Sequence, residues 1–177
     1  ETTIGDTSTQ DEMFIRFSDQ EDITTWTPTA TNTAGTQRLT DGSKLIAAER
    51  SRGAVLLWTD TALYQMTLIG APFTFGFSQL GSACGACGLH ATVESNGRAF
   101  WMGTDSFFMF DGSVQKIPCS IEDFVFKDID PASQKDTFAA LNTEFNEVTW
   151  FYASDGSSVI DRAATFNYAE KVWYNGT

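Results

Sequence analysis

Apolar and polar residues alternate in short bursts along this chain, and no window repeats at three-four spacing over a convincing helical length. Runs of about four to eight β-branched and aromatic residues stand between clusters of Gly, Asn, Asp, Ser and Thr, the pattern of strands separated by turns. The clearest runs are 13–17 (Met-Phe-Ile-Arg-Phe), 44–48, 54–58 (Ala-Val-Leu-Leu-Trp), 62–66, 99–102, 107–110 (Phe-Phe-Met-Phe), 147–152 (Glu-Val-Thr-Trp-Phe-Tyr), 164–168 and 171–174. Asp41-Gly42, Asn96-Gly97, Asp111-Gly112 and Asp155-Gly156 fall between several of them. These residues tolerate the positive φ of tight reversals, so the pairs predict hairpins and an all-β chain. One segment departs from the pattern. Over 121–140, Ile121, Phe124, Val125 and Ile129 fall near helical spacing before Pro131, which predicts a short helical connector and not a second domain.

The strand pattern repeats. Residues 52–64 and 96–108 share one plan, with a one-residue gap: a glycine turn, an apolar strand containing a Trp, a Thr-Asp turn and a second apolar strand. A looser copy begins at Phe145. Asp60 and Asp105 are 45 positions apart, and Asp105 and Asp155 are 50 apart. A period of about 40 to 50 residues holding about four short strands matches one blade of a β-propeller. The expectation is therefore a single all-β, propeller-like region over 1–177. It would hold three to four blades of antiparallel strands and form part of a larger propeller. A β-sandwich, whose strands recur every 8 to 12 residues or so, is the alternative. Trp58, Trp101 and Trp150 recur at the same place in each copy and are expected in the blade cores.

Composition narrows the class. The chain has 177 residues, 15 Phe and 5 Trp, enough large apolar side chains for a sizeable core. Its formal net charge is −12, with only 11 scattered basic residues, so tight binding to nucleic acid through phosphate neutralisation is not expected. No run approaches the roughly 20 apolar residues of a spanning helix, and membrane insertion is not expected. The chain opens on Glu1, and no basic segment followed by an apolar one is visible. It is expected to be a fragment of a longer polypeptide.

Chemistry-bearing patterns are sparse. Cys84-Gly85-Ala86-Cys87-Gly88-Leu89-His90 combines ligand types that suit zinc, and the paired thiols also suit redox chemistry. A structural zinc site needs four ligands, however, and the third thiol, Cys119, stands alone. His90 is the only histidine. The favoured reading is that Cys84 and Cys87 are small apolar residues in a glycine-rich turn, and that all three thiols are reduced, as in a protein made in a cytosol. Any Ser-His-Asp or Cys-His arrangement would have to use His90, and nothing beside it marks an activated nucleophile. Glu122, Asp123, Asp128 and Asp130 read as a solvated acidic connector. They lack a calcium loop's spacing and single out no glycosidase pair. No phosphate-binding or dinucleotide loop is present. The expectation is no catalytic, metal or cofactor-binding residue, hence no enzyme and no cofactor. Trp26 and Trp173 lie in more polar surroundings, and Trp173 beside Tyr174 suggests an interface.

The stretch from Ile15 to Pro28 (Ile-Arg-Phe-Ser-Asp-Gln-Glu-Asp-Ile-Thr-Thr-Trp-Thr-Pro), followed by Ala34-Gly35, resembles tail and packaged-DNA stabilisation proteins of short-tailed bacteriophages. The resemblance continues through Leu57-Trp58-Thr59-Asp60, Gly70-Ala71-Pro72-Phe73, Phe108-Met109-Phe110-Asp111-Gly112 and Ile117-Pro118-Cys119. It ends with Phe166-Asn167-Tyr168-Ala169-Glu170-Lys171-Val172-Trp173-Tyr174, so nearly the whole chain is covered. The resemblance implies a virion component, a propeller-bearing hub or nozzle below the portal that closes the head and forms part of the DNA exit channel. It further implies assembly in the host cytoplasm, copies of the chain in a ring, and contacts with portal, adaptor or other tail proteins. Genomic DNA would pass without being held, and no catalytic residues carry over. A channel lined by carboxylates would repel phosphates, a role suggested by the charge of −12. The runner-up function is a host-surface carbohydrate-binding propeller using Trp26 or Trp173, and a glycoside hydrolase ranks third.

Overall fold

A computed structural model describes residues 2–3 and 10–177. The described residues are all-β apart from one short helix and one 3-10 turn. Two short strands, β1 (Thr2–Thr3) and β2 (Gln10–Asp11), pair with each other, and β3 (Phe14–Phe17) pairs with β4 (Gly35–Arg38) as a two-stranded hairpin. Three four-stranded sheets follow. Sheet I comprises β5 (Leu45–Ser51), β6 (Ala54–Thr59), β7 (Ala62–Leu68) and β8 (Phe75–Ser82). Sheet II comprises β9 (Thr92–Ser95), β10 (Arg98–Met102), β11 (Phe107–Phe110) and β12 (Val114–Lys116). Sheet III comprises β13 (Phe138–Asn142), β14 (Glu147–Tyr152), β15 (Arg162–Asn167) and β16 (Val172–Gly176).

Within each sheet the pairing is antiparallel between strands consecutive in sequence, so each sheet is a simple meander, and an isolated parallel bridge joins His90 to Phe138. Their first strands begin at Leu45, Thr92 and Phe138, so successive sheets start 47 and 46 residues apart. The turns explain the meanders locally. Asn96 and Gly97 both have positive φ, 57° and 89°, and Ser95 pairs with Arg98 around them, a primed two-residue hairpin. Arg52-Gly53 makes the corresponding reversal in sheet I, between paired Ser51 and Ala54. Asp111-Gly112 also closes a hairpin, whereas Asp41-Gly42 joins the β3–β4 hairpin to sheet I, and Asp155-Gly156 lies within the longer 153–161 loop.

The sheets stack face to face through three successive cores. Met13 and Leu39, flanking the β3–β4 hairpin, pack on Leu57, Ala62 and Tyr64 of sheet I. The other face of sheet I, with Leu56, Trp58 and Leu63, meets Ala99, Trp101 and Phe108 of sheet II. Phe100, Met102 and Phe107 on the far face of sheet II meet Val148, Trp150, Tyr152 and Phe166 of sheet III. Alternation along each strand builds this layering, because odd and even positions serve opposite seams. The first strands lie side by side. Ser51 Oγ donates to Glu94 Oε1 at 2.9 Å across β5 and β9, and Ala139 N–H donates to the His90 carbonyl at 2.8 Å, bringing β13 beside the start of β9.

The connector between sheets II and III contains α1 (Glu122–Asp128), and a 3-10 turn over Gln134–Asp136. The helix sends Val125 into the core between sheets II and III, and Ile129 follows it there. Strand β13 begins at Phe138, inside the segment expected to be connector. That strand alternates exposed and half-buried residues with no large apolar run, which is why its period was hidden.

The three core tryptophans are fully buried, but they do not occupy one equivalent place. Trp58 pairs with Leu63 in the last rung before its turn, whereas Trp101 pairs with Phe108, one rung further from its turn. A one-residue shift turns a strand side chain to the opposite face. Trp58 therefore points forward into sheet II, while Trp101 and Trp150 point back toward the preceding sheet. Counted from the turn between first and second strands, Trp58 lies four residues past Ala54, whereas Trp101 and Trp150 lie three past Arg98 and Glu147, and this one-residue offset is the trace of the inversion.

Candidate functional site

The Cys84–His90 segment is the junction between sheets I and II. Cys84 N–H donates to the Thr61 carbonyl at 2.9 Å, Ala86 N–H to Thr59 at 3.2 Å and Cys87 N–H to Met102 at 2.9 Å. The strap runs so close to its neighbours that a Cβ on Gly85 would lie 2.1 Å from the Asp60 carbonyl oxygen, and one on Gly88 would lie 2.2 Å from that of Lys135. Only glycine fits at these two approaches. Burial raises the Cys84 thiol, and pushes Cys87 up to about 12 and Cys119 up to about 11. Thiols so shifted are protonated at neutral pH and are poor nucleophiles and metal ligands. All three cysteines are free, and His90 is exposed. Among the described residues, no group of three or more His, Cys, Asp or Glu side chains converges on a metal position.

The carboxylates gather at one end of the sheets, where second strands turn into third strands and fourth strands pass to the next sheet. Asp41, Asp60, Asp105, Asp128, Asp130 and Asp161 all lie in these connections. Most act as staples between loops. Asp60 accepts the Ser43 hydroxyl at 2.5 Å and the Ser43 N–H at 2.8 Å, while Asp41 accepts the Thr61 hydroxyl and the Gln79 amide. Partial burial, the largest single influence on Asp60, pushes its carboxyl up, but the Ser43 and Lys44 donors together hold it below its ordinary value. Asp161 likewise accepts both Ser154 N–H and Ser154 Oγ, which lower it. Arg162 lies 3.3 Å from Asp128 and 3.3 Å from Asp161, at the start of β15.

Carboxylates are fewer where the first strands meet. Glu49 and Glu94 are half-buried in the seam between β5 and β9, where they accept Thr92 Oγ1 and Ser51 Oγ. The exposed side chains of β5 and β13 are Ala48, Arg50, Phe138, Ala140 and Asn142. Acidic groups thus dominate the loop end and not the first-strand edge.

The aromatic candidates separate clearly. Trp173 is half-buried between sheets II and III, with ring centroids 4.6 Å from Phe107 and 4.7 Å from Phe166, and its indole N–H donates to the Pro118 carbonyl at 2.9 Å. It packs against the core of this seam. Trp26 is 44% exposed, in the 18–34 loop, with its N–H donated to the Ile23 carbonyl. That loop is held by Asp19 and Asp22. The Thr24 and Thr25 hydroxyls donate to Asp22 and lower its carboxyl to about 2.

No helix among the described residues is long and apolar enough to cross a membrane. A search of protein-family models and a search of curated proteins each found no match to the chain.

Proposed function

We propose that sheets I, II and III are consecutive blades of a propeller-like ring, and that the chain is a structural virion protein of a short-tailed bacteriophage. In this reading it serves as a tail or head–tail connector component, a hub or nozzle, forming part of the DNA exit channel and holding neighbouring tail proteins. It has no catalytic role and works through copies of itself and adjoining portal or adaptor proteins. The observation that supports this best is the order of the sheets: three meanders of one period, stacked face to face, with β5, β9 and β13 side by side at one edge. Blades around an axis have that arrangement. The resemblance of the 15–28 segment and the strands after it to phage tail proteins supplies the biological setting.

DNA passing along the first strands would meet Ala48 and Arg50 of β5, a surface too poor in cations to hold a phosphate backbone. The carboxylates at the loop end would repel phosphates from the rim of the passage and not from its wall. Electron microscopy of purified particles carrying a labelled copy of this chain tests the reading. A ring of label on the tail axis is the expected result, and particles lacking the chain would overturn it. The carbohydrate-binding alternative now rests on Trp26 alone, and a glycan array comparing the chain with Trp26→Ala decides it.

A further inference from the structure

We propose that one end of sheet I binds a phospholipid bilayer, with the tip between β7 and β8 in the interfacial layer and two arginines on the phosphates. Leu68 and Phe75 make the last paired rung of β7 and β8, and the residues between them, Ile69 to Thr74, project beyond the sheet. Leu68 is 70% exposed, Ile69 58% and Phe73 70%. From Leu68 to Phe73 (Leu-Ile-Gly-Ala-Pro-Phe) no side chain can donate or accept a hydrogen bond. The backbone there is partly closed on itself. The N–H groups of Ile69 and Gly70 both donate to the Thr74 carbonyl, at 3.1 and 3.4 Å, and Pro72 has no N–H. Between Asp60 and Glu94 the sequence holds no Asp, Glu, Lys or Arg, and the tip falls inside that stretch. Several other exposed apolar side chains stand beside a charge, as Ile23 follows Asp22, Phe124 follows Asp123 and Phe145 follows Glu144.

The turn between β5 and β6 lies at the same end, since Ser51 pairs with Ala54 and Ala54 with Thr67. It brings Arg50 and Arg52, both exposed and neither in an ion pair among the described residues. Arg50, Val55 and Met66 pair across one rung, and with Leu68 and Phe75 they border a hollow of about 400 Å³. Apart from Arg50 and Ser51, its lining is apolar or glycine. The nearest carboxylates in sequence, Glu49 and Glu94, are half-buried and already accept hydrogen bonds from Thr92 Oγ1, Ser51 Oγ and Gly97 N–H.

This chemistry selects lipid over protein. A protein partner makes about one hydrogen bond per 100–200 Å² of contact, and the tip has no side chain to make one. A bilayer interface takes Leu, Ile and Phe side chains without requiring hydrogen bonds, and its phosphates match the guanidinium groups behind them. Charge sets the orientation. A chain of net charge −12 with Asp41 and Asp60 at the opposite end of sheet I is repelled by an anionic surface there, and least repelled where the uncharged tip, Arg50 and Arg52 lead. The tip is far too short to span, so it rests on the bilayer and does not cross it.

Flotation of the chain as it stands with vesicles of phosphatidylcholine and phosphatidylglycerol tests the proposal. The expected result is co-flotation, with partitioning lowered about tenfold or more by Phe73→Asp, the size of effect of one aromatic side chain withdrawn from an apolar layer. Leu68→Asp, at an equally exposed position, gives a similar loss with unchanged melting, and Arg50→Glu gives a smaller one that fades in high salt. Val159→Asp, 66% exposed in the 153–161 loop at the opposite end of the sheets, leaves partitioning unchanged. A wild-type chain that does not float, or one whose flotation survives both Phe73→Asp and Leu68→Asp, overturns the proposal. Tip-dependent capture of a second protein without flotation overturns it too, and assigns the patch to a protein partner. Each of these failures leaves the blade reading standing, because that reading is tested on the particle.

Discussion

Trp58 and Trp101 meet edge to face in one seam, their ring centroids 5.5 Å apart and their planes at 68°, although they belong to different sheets. The contact exists because Trp58 points forward and Trp101 points back. It makes the seam between sheets I and II depend on both indoles together. Each ring is fully buried, so Trp58→Ala and Trp101→Ala should each cost about 3–5 kcal/mol of folding stability. The double variant should fall short of the summed losses by about 0.5–1.5 kcal/mol, the coupling of an aromatic pair. Denaturant unfolding of the four proteins measures it, and strict additivity would show that the sheets do not share this seam.

The indole N–H groups of the same residues predict a difference that ring size does not. Trp101 Nε1 donates to the Cys84 carbonyl at 2.7 Å and Trp150 Nε1 to the Ala91 carbonyl at 3.0 Å, whereas Trp58 Nε1 is buried with no hydrogen-bond partner among the described residues. Replacing Trp101 by Phe leaves a buried carbonyl without its donor. Replacing Trp58 by Phe removes a donor that was already unsatisfied. Trp58→Phe should therefore be milder than Trp101→Phe by about 1–3 kcal/mol, the cost of stranding a buried polar group. Equal losses in a chemical denaturation series would mean that the Trp101 hydrogen bond contributes nothing.

Particular residues show how far the sequence could be read. The apolar runs containing Leu56, Phe100 and Val148 identified the strands of the cores, and Asn96-Gly97 identified its hairpin, because burial and positive φ leave strong local marks. The inversion of Trp58 relative to Trp101 was present only as a one-residue difference in distance from the preceding turn, since facing depends on position along the strand and not on residue type. Trp173 looked exposed beside Lys171 and Asn175, yet Phe107, Trp150 and Phe166 surround it, partners brought by tertiary packing from up to 66 positions away, from 107 to 173. In the acidic connector Asp123 stays exposed, Asp130 accepts Ser133 N–H and Asp128 pairs with Arg162. The loop staples Asp60 and Asp161 lie outside it, and their donors, Ser43 and Ser154, are common in any polar loop and give no signal of their own.

The Cys84–His90 strap should behave as packing and not as a reactive site. With Cys87 pushed up to about 12 and Cys119 to about 11 by burial, the folded chain should react slowly with a disulfide reagent at pH 8, and all three thiols should appear promptly in denaturant. Gly85→Ala and Gly88→Ala should each abolish soluble folded protein, because the added Cβ meets backbone carbonyls that cannot move aside cheaply. Cys84→Ala, by contrast, should cost about 1–2 kcal/mol, the loss of a small buried side chain. Fast labelling of native Cys87, or a well-folded Gly85→Ala protein, would mean that the strap is open.

Acid should unfold the chain through its loop staples. Asp22 is held at about 2 by the Thr24 hydroxyl first and Thr25 next, and Asp161 is held below its usual range by Ser154 N–H and Oγ. Each has a folded-state pKa below the unfolded value near 3.9, so its contribution is fully present above about pH 5 and is lost as pH falls through the folded value. An opposing effect must be weighed, since protonating carboxylates also relieves self-repulsion in a chain of charge −12. At 0.15 M salt the screening length is about 8 Å, so repulsion between distant surface charges fades while hydrogen bonds at 2.6 to 2.9 Å persist. The melting temperature should therefore be flat from neutrality to about pH 5 and fall between about pH 4 and pH 2. Asp161→Asn should lower the neutral plateau and flatten the acid limb. A melting temperature that rises on acidification in this salt would show that repulsion outweighs the staples.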